Sequence, residues 1–174
     1  MLPPPLDFDA NEWFIILNIV LGYTLVLLLP RRYPRVVSIL VVLFCVSIAI
    51  ILDHSIATPP LDMYDINDQK KYELMDVITY LMYSPFAILS VYLFDKFNPR
   101  GLYFTAYVIA WSGFATLFEW LATLCRVFTY TEWHLLYSFS VYLVATVSEI
   151  GFFRLILRHF NKTRKTEMPT ANQQ

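Results

Sequence analysis

VVSILVVLFCVSIAIIL, residues Val36–Leu52, is a run of seventeen residues without a charge. Wound as a helix at about 1.5 Å per residue, it is about 25 Å long. That is close to the ~30 Å hydrocarbon layer that roughly 17–25 apolar residues cross. Four more stretches share its length and character: Trp13–Leu29, Val77–Phe94, Leu102–Leu124 and Leu135–Leu157. Within hydrocarbon only helices and closed barrels satisfy every backbone N–H and C=O. The alternating strands of a barrel, about ten residues each, are absent. The expected fold class is therefore all-α: a five-helix transmembrane bundle filling one domain, residues 1–158. A basic, polar tail follows at 159–174 and is expected to be disordered after Phe160.

Composition agrees. Hydrophobic residues make up 57% of the chain and charged residues 16%, against about 25% charged in a soluble domain. The 174 residues are expected to make one domain, with no second, soluble one. The stretch before the first span carries Asp7, Asp9 and Glu12 where a signal peptide is positive, so the first helix is expected to be retained. Cys45 and Cys125 differ in depth by about 10 Å by rise counting, too far for a disulfide. Both are read as packing residues.

Charge sets the expected orientation. Arg31, Arg32, Arg35, Lys96, Arg100, Arg154, Arg158, Lys162, Arg164 and Lys165 fall on one side, ten of the thirteen Lys and Arg. The other side holds Lys70, Lys71 and Arg126 beside most of the acids. The positive-inside rule then places the N-terminus outside and the C-terminus in the cytoplasm. The longest connection, about residues 53–76, is the outer loop. Pro59-Pro60 breaks any helix there, and Ile66–Asp76 is expected to form a short interfacial helix.

The candidate functional residues are those that hydrocarbon penalises. Glu119 and Glu149 lie within spans, where an ionisable side chain costs about 2.5–3.5 kcal/mol on insertion scales and turns inward. Glu119 shares a helical face with Ser112, Ala115, Thr116, Thr123 and Arg126. By depth, Asn18, Asp76, Tyr80, Glu119, Arg126, His134 and Ser138 form a candidate polar cluster or ligand site. The first reading of Glu119 is structural, paired with Arg126 or a Tyr hydroxyl; a ligand contact and a lipid-facing carboxyl are the others. Glu149 is read as a buried carboxyl hydrogen-bonded to another helix. Pro85 removes one hydrogen bond from the third helix and is expected to kink it. Ala106, Ala110 and Gly113 form a small-residue strip suited to close helix contact. No metal site is expected, since His54 and His134 lack ligand spacing, and no catalytic motif is present.

From the end of the third helix onward, about the C-terminal half, the chain resembles a family of small multi-helix membrane proteins from endospore-forming Gram-positive bacteria. The matching pieces are Tyr83-Ser84-Pro85 with Tyr92-Leu93, Phe118-Glu119-Trp120, and Phe128-Thr129-Tyr130-Thr131-Glu132-Trp133 leading to Tyr137-Ser138. Thr131-Glu132 stands where that family carries a Gly. The resemblance implies the fold and a bacterial cell membrane location. Size and aromatic content also resemble the tryptophan-rich sensory protein family, whose Pro-rich first loop is not reproduced by Pro30–Arg35.

Two functions are carried forward. One is a non-catalytic interaction or membrane-organising component of the cytoplasmic membrane. The other is a small-molecule binder or transporter using an outer-leaflet pocket around Glu119. The expected partners are the lipid bilayer and a second copy or another membrane protein, with no nucleic acid and no cofactor. With Cys45 and Cys125 replaced, single cysteines at positions 10 and 170 should react with an impermeant maleimide from opposite sides of the membrane; labelling from the same side would overturn the orientation.

Overall fold

The computed structural model describes residues 5, 8–67 and 74–171, with side chains as far as residue 163. The elements run α1 (Ala10–Leu28), α2 (Arg35–Ile56), β1 (Tyr64–Ile66), α3 (Leu74–Phe97), α4 (Leu102–Leu124), β2 (Phe128–Tyr130) and α5 (Leu135–Ala171). All five helices are long and apolar enough to cross a membrane.

Local chemistry sets most boundaries. Asp9 caps α1, accepting from the Asn11 N–H at 3.2 Å while Glu12 Oε2 accepts from the Asp9 N–H at 2.9 Å. This reciprocal box satisfies orphan donors at the helix start. The chain leaves α3 through Asn98, whose φ of +45° lies in the left-handed region, with Pro99 behind it to prevent resumption. α4 ends in a Schellman motif. The Arg126 N–H donates to the Thr123 carbonyl and the Val127 N–H to the Ala122 carbonyl, both at 3.0 Å. Ala122 and Val127 are both fully buried.

α3 is the central helix. More than half of its span is buried, against less than a quarter for each of the others. It packs on α1, α2 and α5, while α4 packs closely on α5. The arrangement follows polarity. Thr79, Tyr80, Ser84, Ser90 and Tyr92 make α3 rich in polar groups, and lipid offers those groups no partners. α2, the most apolar helix, is the least buried. Two cores result. Ile15, Met75, Met82, Ala122 and Val127 pack towards the sheet end. Val37, Val41, Ala87, Val91, Phe94, Val108, Ile150 and Phe153 pack towards the other. There Arg32 pairs with Asp95 at 2.7 Å, and Arg154 lies over the rings of Phe94 and Phe104.

The strands join two connections far apart in sequence. β1 and β2 pair antiparallel, with Tyr64 opposite Tyr130, Asp65 opposite Thr129 and Ile66 opposite Phe128. The N–H groups of Thr131, Glu132 and Trp133 converge on the Met63 carbonyl at 2.9–3.1 Å. The interfacial helix expected over Ile66–Asp76 does not start at Ile66, which is in a strand; residues 74–76 belong to α3, and 68–73 lie outside the described residues. The tail is also corrected: α5 continues to Ala171. The lysines, arginine and glutamate beyond Phe160 are good helix formers, so leaving the apolar region does not end the helix.

The small-residue strip is corrected too. Ala106 and Ala110 are exposed, and a Cβ at Gly113 would meet nothing within 4 Å. The close helix contact is at Gly22 instead. A Cβ there would lie 2.6 Å from Cγ and 2.9 Å from Cβ of Pro85, so the pyrrolidine ring of α3 fills the space that glycine leaves on α1. Gly22→Ala should lower stability in detergent by about 1–3 kcal/mol through overpacking. Pro85→Ala in the same chain should recover at least about 0.5 kcal/mol of it by double-mutant cycle. Strictly additive unfolding energies would show that the two residues do not touch.

Candidate functional site

The strand register determines what faces the interior. Directly opposed residues of an antiparallel pair share a face, as do residues two apart. Tyr64, Ile66, Phe128 and Tyr130 therefore form one face. Three of them, Tyr64, Phe128 and Tyr130, line a cavity of about 230 Å³. α2, α3, α4 and α5 supply its walls, and α1 contributes no lining residue. The space exists because large and small side chains alternate around it. Phe86 on α3 meets Phe118 and Phe114 on α4 with ring centroids 4.6 and 6.1 Å apart, holding α4 away from α3. Ala49, Ala87, Ala115 and Ala145 then leave the middle unfilled.

Three carboxyl groups line this cavity: Asp53, Glu119 and Glu149. Glu119, at the sheet end, is 9% exposed and accepts three hydroxyl hydrogen bonds. Ser138 donates to Oε1 at 2.6 Å and Tyr142 to Oε2 at 2.6 Å; Tyr130 also donates to Oε1. Ser138 Oγ in turn accepts from the Trp133 indole N–H at 2.8 Å. Burial, reinforced by the bond to Glu119 and its charge, pushes the Tyr130 hydroxyl above its ordinary range. It remains a donor at any physiological pH.

Asp53, on the last turns of α2, accepts from the Tyr64 hydroxyl at 2.5 Å, and Tyr80 of α3 also faces it. Burial first, then the Asp53 charge, raises the Tyr64 hydroxyl likewise. The sheet thus delivers one tyrosine to a carboxyl on α2 and another to a carboxyl on α4. Glu149 lies deeper, 6% exposed. It accepts from Ser90 Oγ of α3 at 2.9 Å through Oε2, with the Cys45 thiol beside it. Its Oε1 is buried and has no hydrogen-bond partner among the described residues. Among the described residues, no three His, Cys, Asp or Glu side chains are placed to hold a metal ion.

Of the seven residues grouped by depth, the structure brings Glu119 and Ser138 into contact and turns Tyr80 towards Asp53. The others lie elsewhere. The Asn18 amide donates to the Phe14 carbonyl of its own helix at 2.8 Å. Asp76 accepts from Asn67 at 2.8 Å. His134 is exposed, with its ring against Tyr137. Arg126 is exposed and is not the partner of Glu119; among the described residues the single ion pair is Arg32–Asp95. The cause is the helix end. Arg126 takes the left-handed position, φ +62°, and the helical face assumed for it stops at Leu124.

Tyr142, Tyr130, Tyr64 and Asp53 escaped the depth argument. Tyr142 was legible, since it sits one turn after Ser138 on the same face. Phe128-Thr129-Tyr130 carries the β-branched and aromatic signature of a short strand. Its pairing with residues 64–66 leaves no local trace. Comparison with protein-family models, with curated proteins and with solved structures finds no match.

These placements separate two substitutions. Arg126→Gly should leave thermal stability in detergent unchanged or slightly raised, because glycine suits a left-handed C′ position. Glu119→Leu should cost at least about 3 kcal/mol, since each buried hydroxyl left without its acceptor costs about 1–3 kcal/mol. Equal losses from the two variants would put Arg126 back in the site.

Proposed function

We propose that this chain is a non-catalytic, multi-pass membrane protein that binds a small, largely apolar molecule in the cavity beneath the sheet. One observation carries the reading: a cavity at membrane depth has aromatic walls from four helices and a few polar groups converging on it. That is the usual make-up of a small-molecule site. Glu119 with its hydroxyls forms the sheet end and Glu149 the deep end. Orientation in this proposal follows the positive-inside rule, with the sheet outside and the basic end of α5 in the cytoplasm. The bacterial cell membrane is the location implied by the resemblance of the C-terminal half. Pro85 would kink α3 beside the cavity, between the lining residues Tyr83 and Ala87.

A second reading, an interaction component, is favoured by Ala106 and Ala110 of α4, small residues that the bundle leaves exposed. Small residues there would let another helix, from a second copy or a partner, approach closely.

Photolabelling tests the binding reading against plain partition into lipid. An uncharged phenyldiazirine alcohol, photolysed with the full chain in phosphatidylcholine nanodiscs, should modify cavity residues such as Trp111 and Tyr142. Ala145→Phe, which fills the cavity, should remove that labelling. Modification spread evenly over exposed side chains such as Leu43, Leu117 and Val144 would defeat the proposal.

A further inference from the structure

We propose that the ligand of this cavity is a protonated organic amine, its ammonium group held by Glu149 and its apolar body lying among the aromatic walls. This rests on the binding reading and adds the chemical class and the anchoring residue. The first argument is charge. Among the described residues, Asp53, Glu119 and Glu149 line the cavity, and no Lys, Arg or His does. An anionic ligand would face three carboxyl groups with nothing to neutralise it. A cation would meet carboxyl groups whose ionised form its own charge favours.

The second argument is valence. Glu119 is saturated from within: both oxygens accept hydroxyl bonds, one of them twice. Asp53 is engaged by Tyr64 and faced by Tyr80. Among the cavity carboxyls, Asp53 Oδ2 and Glu149 Oε1 are the two oxygens that no described group donates to, and Glu149 is the more buried of the two residues. Its one strong partner, Ser90, uses Oε2. The neighbouring Cys45 thiol is only a weak donor. A buried carboxyl oxygen without a donor is costly, and an ammonium group carries N–H donors together with the balancing charge.

The third argument is the wall. Trp111, Phe114, Tyr83, Phe86 and Tyr142 line the same space. Aromatic faces are the negative ends of ring quadrupoles and attract cations within about 6 Å, most strongly when desolvated. They also supply apolar surface for the remainder of the molecule.

The test compares two isosteres. 4-Phenylbutylamine and 4-phenylbutan-1-ol are titrated as competitors of the phenyldiazirine alcohol in neutral phosphatidylcholine nanodiscs. Both concentrations are referred to the bilayer phase, so that partition cancels. The amine should protect Trp111 and Tyr142 at a concentration at least tenfold below that of the alcohol. Glu149→Gln should abolish this difference while leaving protection by the alcohol. Equal protection by the two competitors in the unmodified protein overturns the amine assignment and leaves the binding reading intact. A tenfold preference that survives Glu149→Gln overturns the anchor. If the alcohol probe never labels the cavity, the binding reading itself fails. The comparison in the unmodified protein does not depend on the variant folding.

Discussion

The fold depends on giving the Glu119 carboxyl enough donors. Placing an ionisable group at membrane depth costs about 2.5–3.5 kcal/mol on insertion scales. Hydrogen bonds to a charged group contribute about 1.5–3 kcal/mol each. Three hydroxyls, from Ser138, Tyr142 and Tyr130, therefore more than offset the cost. They come from different places: two from successive turns of α5, the third from β2. Satisfying one side chain on α4 thus fixes α5 against α4 and fixes the strand between them. That strand pairs with β1, and β1 carries Tyr64 to Asp53 on α2. A line of polar contacts runs from α4 through the sheet to α2, two helices whose backbones are not among the closely packed pairs.

Such ties matter because lipid tails are as apolar as leucine. Helices in a bilayer gain little by hiding apolar side chains from one another, and association rests on packing and interhelical hydrogen bonds. α1 and α3 use packing, with Gly22 admitting the Pro85 ring. α3 and α5 use the Ser90–Glu149 bond, and α4 and α5 the hydroxyls on Glu119. Aromatic struts set the spacing where no tie exists. Because the sheet and the carboxyl bonds hold the bundle together at its perimeter, the centre need not be filled.

Much of this was legible in the sequence, for definite reasons. Helix number and approximate span follow from the bilayer's thickness, as the uncharged run Val36–Leu52 shows. The central place of α3 is implied by Thr79, Tyr80, Ser84 and Ser90, which lipid cannot solvate. Glu119 and Ser138 could be matched because each lies a few residues from the same membrane surface. The assignment of Arg126 failed because helical spacing was carried past a helix end, and only backbone hydrogen bonds reveal that Arg126 occupies a left-handed position. The small-residue strip of α4 failed because composition shows that a close contact is allowed but not which face receives it. The sheet was invisible for a different reason. Residues 64–66 and 128–130 are separated by two membrane spans, and three-residue strands hold too little pattern to announce a partner.

The cavity itself bears on whether the protein is merely a scaffold. Side chains that line a space instead of filling it forgo packing contacts, and this space measures about 230 Å³. Filling it would take only larger side chains at Ala49, Ala87, Ala115 or Ala145, none of which makes a polar contact. A bundle with a purely structural role would lower its free energy by such changes. The carboxyl groups sharpen the point. Glu119 repays its burial by organising the sheet end, whereas Glu149 has one bond to Ser90 and an oxygen left over. The space and the Glu149 acceptor lie on the same wall, and in the proposed reading one occupant bearing N–H donors on an apolar body would serve both.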